Sequence, residues 1–203
     1  MALASYSDLK TALAAHLNRS DLTSYLDDFI DIAEARHQRE IRLREMLTRA
    51  SIAVDNRQIA VPSGVLEIIS FRLLTEPVTV LEEVNLHEMN RLRKEITGCP
   101  WKFTIHEEIE FDVEPDTSYG GEIVYYEALT ALSDANTSNS LLAKAPDVYL
   151  YSALVAASPF LGADERIPTW DAFYRAGRDA LNLRASSSRR VGPLVPRIAG
   201  AIR

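Results

Sequence analysis

At 203 residues, 47% hydrophobic and 25% charged, the chain is long enough to bury one substantial core and ordinary in charge for a folded protein. No apolar run reaches the roughly 18–20 residues that a membrane-spanning helix needs, and the opening stretch MALASYSDLKTALAAHL lacks the positive flank and unbroken apolar block of a secretory signal. The single cysteine, Cys99, excludes an intrachain disulfide and a cysteine-based zinc site. In the turn Thr97-Gly98-Cys99-Pro100 it has no base beside it to make it a nucleophile.

Residues 5–17 place Tyr6, Leu9, Leu13 and Leu17 at spacings of three and four, which predicts an amphipathic helix with Ser5 or Ser7 as its cap. Ser20 or Asp21 is placed to cap a second helix, expected from about Leu22 to about Leu47. Its apolar stripe is Leu22, Leu26, Phe29 and Ala33, extended by Ile30, Ile41 and Leu47. Its second half carries Arg36, Arg39, Arg42 and Arg44 among Glu34, Glu40 and Glu45. That pattern reads first as a solvated face laced with ion pairs, and second as a contact between subunits, with the four arginines as its candidates.

After Ala50 the pattern changes to short alternating strands. SIAVDNRQIAVP suggests two strands around the turn Asp55-Asn56, followed by VLEIISFRLL and VTVL. A short helix over Asn85–Glu95 comes next. WKFTIHEEIEFDVEP then forms a predicted hairpin, with Trp101, Phe103 and Ile105 alternating on one arm, and EIVYYEAL is a further strand. Helix returns at Ser138–Ala143, at APDVYLYSALVAASPFL, with Val148, Tyr151, Leu154 and Val155 on one side, and from about Thr169 to Ala185, with Trp170, Phe173, Tyr174 and Leu181 inward.

The fold class expected is α+β. N-terminal helices (1–49) and C-terminal helices (131–185) form one bundle, with a small sandwich- or barrel-like β unit (50–130) inserted between them and an extended arm (186–203) at the end. Charge sets that end apart. Residues 184–203 contain five arginines and no acid against a chain total of −7, leaving the preceding residues at −12. The prolines and glycines of RRVGPLVPRIAGAIR disfavour helix. Its arginines, Arg189, Arg190, Arg197 and Arg203, are interleaved with Val191, Leu194, Val195, Pro196, Ile198 and Ile202. Phosphates do not call for that apolar lining, whereas a groove on a protein does.

No catalytic constellation stands out. His16, His37, His87 and His106 are not spaced as metal ligands, and no HExxH, GxSxG or phosphate-binding glycine loop occurs. Gly120-Gly121 precedes a strand, where it cannot cradle a phosphate on a helix N-terminus. The adjacent acids Asp27-Asp28, Glu82-Glu83 and Glu107-Glu108 point apart on any regular element, so their adjacency does not make a hydrolytic pair. No catalytic residue, metal or cofactor is expected.

Taken in order, several stretches resemble the head-to-tail adaptor (connector or neck) proteins of tailed bacteriophages: Leu17-Asn18-Arg19-Ser20-Asp21-Leu22; the helix ending IDIAEARHQREIRLREML; Val61-Pro62-Ser63-Gly64-Val65-Leu66-Glu67; Gly98-Cys99-Pro100 before an aromatic hairpin; Val124-Tyr125-Tyr126-Glu127-Ala128-Leu129; and Ala145-Pro146-Asp147-Val148-Tyr149-Leu150-Tyr151. The resemblance implies a structural protein of the virion neck: a homo-oligomeric ring of about twelve subunits between the portal protein and a tail or nozzle protein. Genomic DNA would pass through its lumen unread, with no membrane involved, and assembly would take place in the host cytoplasm. It also implies that residues 186–203 dock on the portal. The competing readings are a virion-associated hydrolase with carboxylates assembled across the fold, and a DNA-binding protein using the basic tail.

Overall fold

A computed structural model of the chain describes residues 3–92, 96–162 and 164–189. Arg44–Ala131 forms one unit, and the described residues on either side of it together form another. The class is α+β as expected, with helices at both ends and a seven-stranded sheet between them in sequence.

In the helical unit, α1 (Tyr6–Leu17) begins at a capping box. Ser5 Oγ accepts from the Asp8 backbone N–H at 3.2 Å, and the Asp8 carboxylate accepts from the Ser5 N–H at 3.1 Å. Tyr6, Leu9, Leu13 and Leu17 are all buried, as their spacing predicts. The helix stops at Asn18, in the left-handed region at φ 50°.

The long second helix is shorter than expected. Ser20–Tyr25 is a 3-10 turn, α2 runs only from Leu26 to Glu40, Arg44–Met46 is another 3-10 turn, and Leu47 already opens a strand. The sequence Ile41–Met46 is rich in good helix formers, so local propensity does not end α2. A tertiary cap does. The Asn182 side chain donates to the Glu40 carbonyl at 2.8 Å and accepts from the Arg42 N–H at 3.0 Å, while the Arg42 guanidinium donates to the Gln38 and Ile41 carbonyls.

Asn139 caps α4 (Ser140–Lys144), accepting from the Leu142 N–H at 3.0 Å. The helix expected over 145–161 is broken at Ala157 into α5 (Pro146–Ala156) and the one-turn α6 (Ser158–Leu161), and α7 (Ile167–Arg189) follows. α7 continues past the expected stop at Ala185. Serine is tolerated in a last turn, and the Ser186 hydroxyl donates back to the Leu183 carbonyl at 2.9 Å. Trp170 and Tyr174 point inward, whereas Phe173, expected inward, is 51% exposed. On α5, the buried face takes in Val148, Tyr149, Leu150, Ala153 and Leu154, and Tyr151 and Val155 sit at its margin.

In the other unit the strands are β1 (Leu47–Val54), β2 (Gln58–Ala60), β3 (Val65–Leu73), β4 (Thr79–Glu83), β5 (Lys102–Ile105), β6 (Glu108–Phe111) and β7 (Tyr119–Glu127), with α3 (Leu86–Leu92) between β4 and β5. Their order across the sheet is β1-β7-β3-β4-β5-β6-β2. β5 and β6 form the expected hairpin, but β1 and β2 do not pair with each other. β1 pairs with β7 and β2 with β6, so the turn at Asp55-Asn56 joins the two edges of a curled sheet. The curl encloses Phe71, Phe103, Phe111, Ile109 and Ile123, with Phe71 edge-on to Phe103 and Phe111 at ring distances of 5.4 and 5.7 Å. Gly121 lets this happen: a Cβ there would meet the Phe71 ring at 2.9 Å and the Ile52 carbonyl at 3.1 Å. Trp101, predicted to alternate inward with Phe103, is 63% exposed and lies just before β5.

Candidate functional site

The polar groups of the helical unit are gathered on α2, whose two flanks face α5 and α7. Toward α5, the buried Glu34 carboxylate accepts from the Leu132 N–H at 2.8 Å and from the Tyr149 hydroxyl at 3.0 Å, and Asn139 donates to the same hydroxyl at 2.7 Å. Burial pushes the Glu34 carboxyl and the Tyr149 hydroxyl above their ordinary values. One turn on, His37 Nε2 lies 2.7 Å from the Ser152 hydroxyl, which itself donates to the Tyr149 carbonyl at 2.9 Å. His37 Nδ1 is buried without a hydrogen-bond partner. Burial, reinforced by the nearby Arg36 charge, holds the imidazole down at about 3.

A histidine 2.7 Å from a serine invites a nucleophilic reading. Both side chains are only 1% exposed, and the serine proton is engaged by the helix backbone, so the pair acts as a strut between α2 and α5.

Toward α7, Glu40 collects three donors: Arg178 at 2.7 Å, Arg36 at 3.0 Å and the Tyr174 hydroxyl at 3.1 Å. Burial alone would raise its carboxyl. The hydrogen bonds from Arg178, Arg36 and Tyr174 outweigh burial and hold it at about 2. Arg36 also reaches Asp171 at 3.4 Å and stacks over the Tyr174 ring, 4.1 Å from its centre.

The four arginines proposed for subunit contact therefore separate. Arg36 is drawn into this seam and Arg42 caps α2, whereas Arg39, on the last turn of α2, and Arg44, in the following 3-10 turn, are exposed. Of the C-terminal candidates, Arg189 is the last residue of α7. Arg190, Val191, Leu194, Val195, Pro196, Arg197, Ile198, Ile202 and Arg203 lie outside the described residues. Glu34, His37, Glu40, Tyr149, Ser152 and Asn182 were not singled out from the sequence. A signal existed for two of them: Glu34 and His37 fall in phase with Ile30 and Ala33, so each is a polar residue at an inward position.

The adjacent acids diverge, as their spacing implies. Asp27 accepts from the Tyr6 hydroxyl at 2.9 Å and pairs with Lys10 at 3.0 Å, while Asp28 is exposed. Glu82 pairs with Lys102 at 3.4 Å, and Glu107 lies in the β5–β6 turn. Among the described residues no group of three or more His, Cys, Asp or Glu side chains is placed to hold a metal ion, and no helix is long and apolar enough to cross a membrane.

Among the described residues, the helical unit presents apolar surface outward, two parts of which are clustered. Phe160, 45% exposed, and Tyr25, 42% exposed, pack with Phe29 as an aromatic cluster with ring distances of 5.2–6.5 Å. An open groove of about 590 Å³ lies where Leu3 and Ala4 face Ala143, Pro146, Leu150 and Tyr151. Such surfaces suit protein partners better than a reaction.

No curated protein matches the chain. A model of the SU10 adaptor protein family matches residues 4–197, spanning both units and much of the arginine-bearing end. The chain therefore belongs to the SU10 adaptor protein family, a family of phage head-to-tail adaptors, and its role is that of a structural phage adaptor.

Proposed function

We propose that copies of this chain close into a ring of about twelve beneath the portal, joining head to tail or nozzle, with genomic DNA passing through the lumen without sequence recognition. The observation that carries the reading is the family match over residues 4–197. The charge pattern supports it: a net negative body disfavours adhesion of DNA to a conduit wall, while the C-terminal arginines lie among apolar anchors suited to a protein groove. In this reading residues 186–203 dock on the portal, through Arg189, Arg190, Arg197 and Arg203 with Val191, Leu194, Val195, Pro196, Ile198 and Ile202. Arg39 and Arg44 are the exposed arginines available to a neighbouring subunit. The assembled protein resides in the virion neck, after assembly in the host cytoplasm.

Electron micrographs of the protein bound to portal-bearing heads test the ring by its rotational symmetry, and a single copy per portal would overturn it. Truncation after Ala185 tests the docking segment. The shortened chain should fail to attach to heads, and completed infectious particles would remove the segment from the attachment.

A further inference from the structure

α5 is apolar on nearly every face, a composition suited to full enclosure. In the structure α1, α2 and α7 pack along it, yet one line is less enclosed than the rest: Asp147 is exposed, and Tyr151 and Val155, at spacings of four, are half-buried. Near the start of α5 this line opens into the groove formed with Leu3, Ala143, Pro146 and Leu150. Phe173 extends the apolar surface, its ring 5.0 Å from that of Tyr151. A helix of this composition is left only partly covered along this groove.

We infer that the cover is the chain's own C-terminal segment, residues 190–203, laid back along the groove in the unassembled protein. The location of α7 makes this possible. Phe173 meets Tyr151, and Gly177, four residues later, lies against Val148, three residues earlier on α5. The two helices are therefore antiparallel, and α7 runs on past the groove end of α5, with Asn182 bonded to the end of α2 and Ala185 still buried. From Gly177 to Arg189 the helix rises roughly 18 Å. Gly192-Pro193, a pair common in turns, follows after two more residues. Beyond it Leu194–Ile202 can span about 30 Å when extended, enough to return over the distance α7 has travelled.

The chemistry matches as well. Leu194, Val195, Ile198 and Ile202 supply apolar side chains for the groove. The acid-free run carries Arg197 and Arg203 toward a rim where Asp147 is exposed. This inference goes beyond portal docking, because it gives the segment a place on its own bundle with no portal present.

The test uses the full chain, dilute and without portal, with photoreactive benzoylphenylalanine in place of Leu194. Irradiation should give adducts of one-chain mass on Leu3 or on Pro146–Tyr151. Ala143→Arg and Asp147→Lys, each made separately at an exposed position, should lower that yield about tenfold, while circular dichroism shows the helical content unchanged. Adducts only elsewhere, or a yield indifferent to both substitutions, would overturn the proposal. Adducts of two-chain mass would overturn it too, by assigning the groove to a second copy. None of these outcomes depends on portal attachment.

Discussion

Acid should loosen the helical unit through His37. The imidazole is 1% exposed, its folded value is about 3, and its ordinary value is 6.5. With the folded value depressed, the unfolded chain binds the extra proton, so stability is full above 6.5 and falls as pH drops toward 3. Each pH unit inside that window costs about 1.4 kcal/mol, so at pH 4.5 His37 alone removes about 3 kcal/mol relative to pH 7. The assay is urea unfolding at pH 7 and pH 4.5, followed by the fluorescence of Trp170 in a Trp101→Phe background. Trp170 is buried in the helical unit. His37→Leu is the reference: it removes the titration and leaves the Ser152 hydroxyl satisfied by the Tyr149 carbonyl. Carboxylates titrate in both proteins, so the difference between them isolates the histidine. The His37 protein should lose about 3 kcal/mol more than the leucine variant between the two pH values. Equal losses would refute the assignment of a neutral, desolvated imidazole.

Other substitutions probe the remaining contacts. Glu40→Ala leaves Arg36, Arg178 and Tyr174 without their shared acceptor and should cost about 2 kcal/mol in urea unfolding. In the sheet, Gly121→Ala forces a Cβ to 2.9 Å from the Phe71 ring and should cost about 2 kcal/mol. Gly120→Ala, whose nearest neighbour would be 3.8 Å away, should stay within about 0.5 kcal/mol of wild type by thermal unfolding. Gly177→Ala should destabilise α7 by about 1 kcal/mol even though alanine favours helix, because its Cβ would lie 2.6 Å from Val148 Cγ2. In a Val148→Ala background the same change should become stabilising.

The elements that the sequence made legible are those whose periodicity is backed by local chemistry. α1 has its capping box and stripe, β5–β6 its alternation, and α5 a proline in its first turn. The failures arose where distant residues decide. Nothing near Glu40 announces the end of α2, because the cap comes from Asn182 on α7. Nothing in the Asp55-Asn56 turn reveals that its flanking strands pair elsewhere, since pairing is chosen by which faces can bury Phe71 and Phe111 together. Phe173 looked inward because its side chain is apolar. The phase of α7 is set instead by Tyr174, which sits under the Arg36 and Arg178 guanidiniums.

These long-range polar contacts also explain how a largely apolar helix holds a defined orientation. Hydrophobic burial is non-directional, so α5 could turn about its axis or slide by a residue at little cost in buried area. Two pairs forbid it. Tyr149 meets Glu34, and Ser152 meets His37, three residues further along both helices, so the two pairs together fix one register where α2 and α5 meet. A rotation that buried Tyr151 would pull Tyr149 from Glu34 and strand a carboxylate in the interior, at a cost of about 1–3 kcal/mol or more. The partly open line Asp147–Tyr151–Val155 is therefore held in place by polar contacts elsewhere around the same helix. That is a physical reason to keep a carboxyl and an imidazole at inward positions: they fix which face of α5 is left partly open.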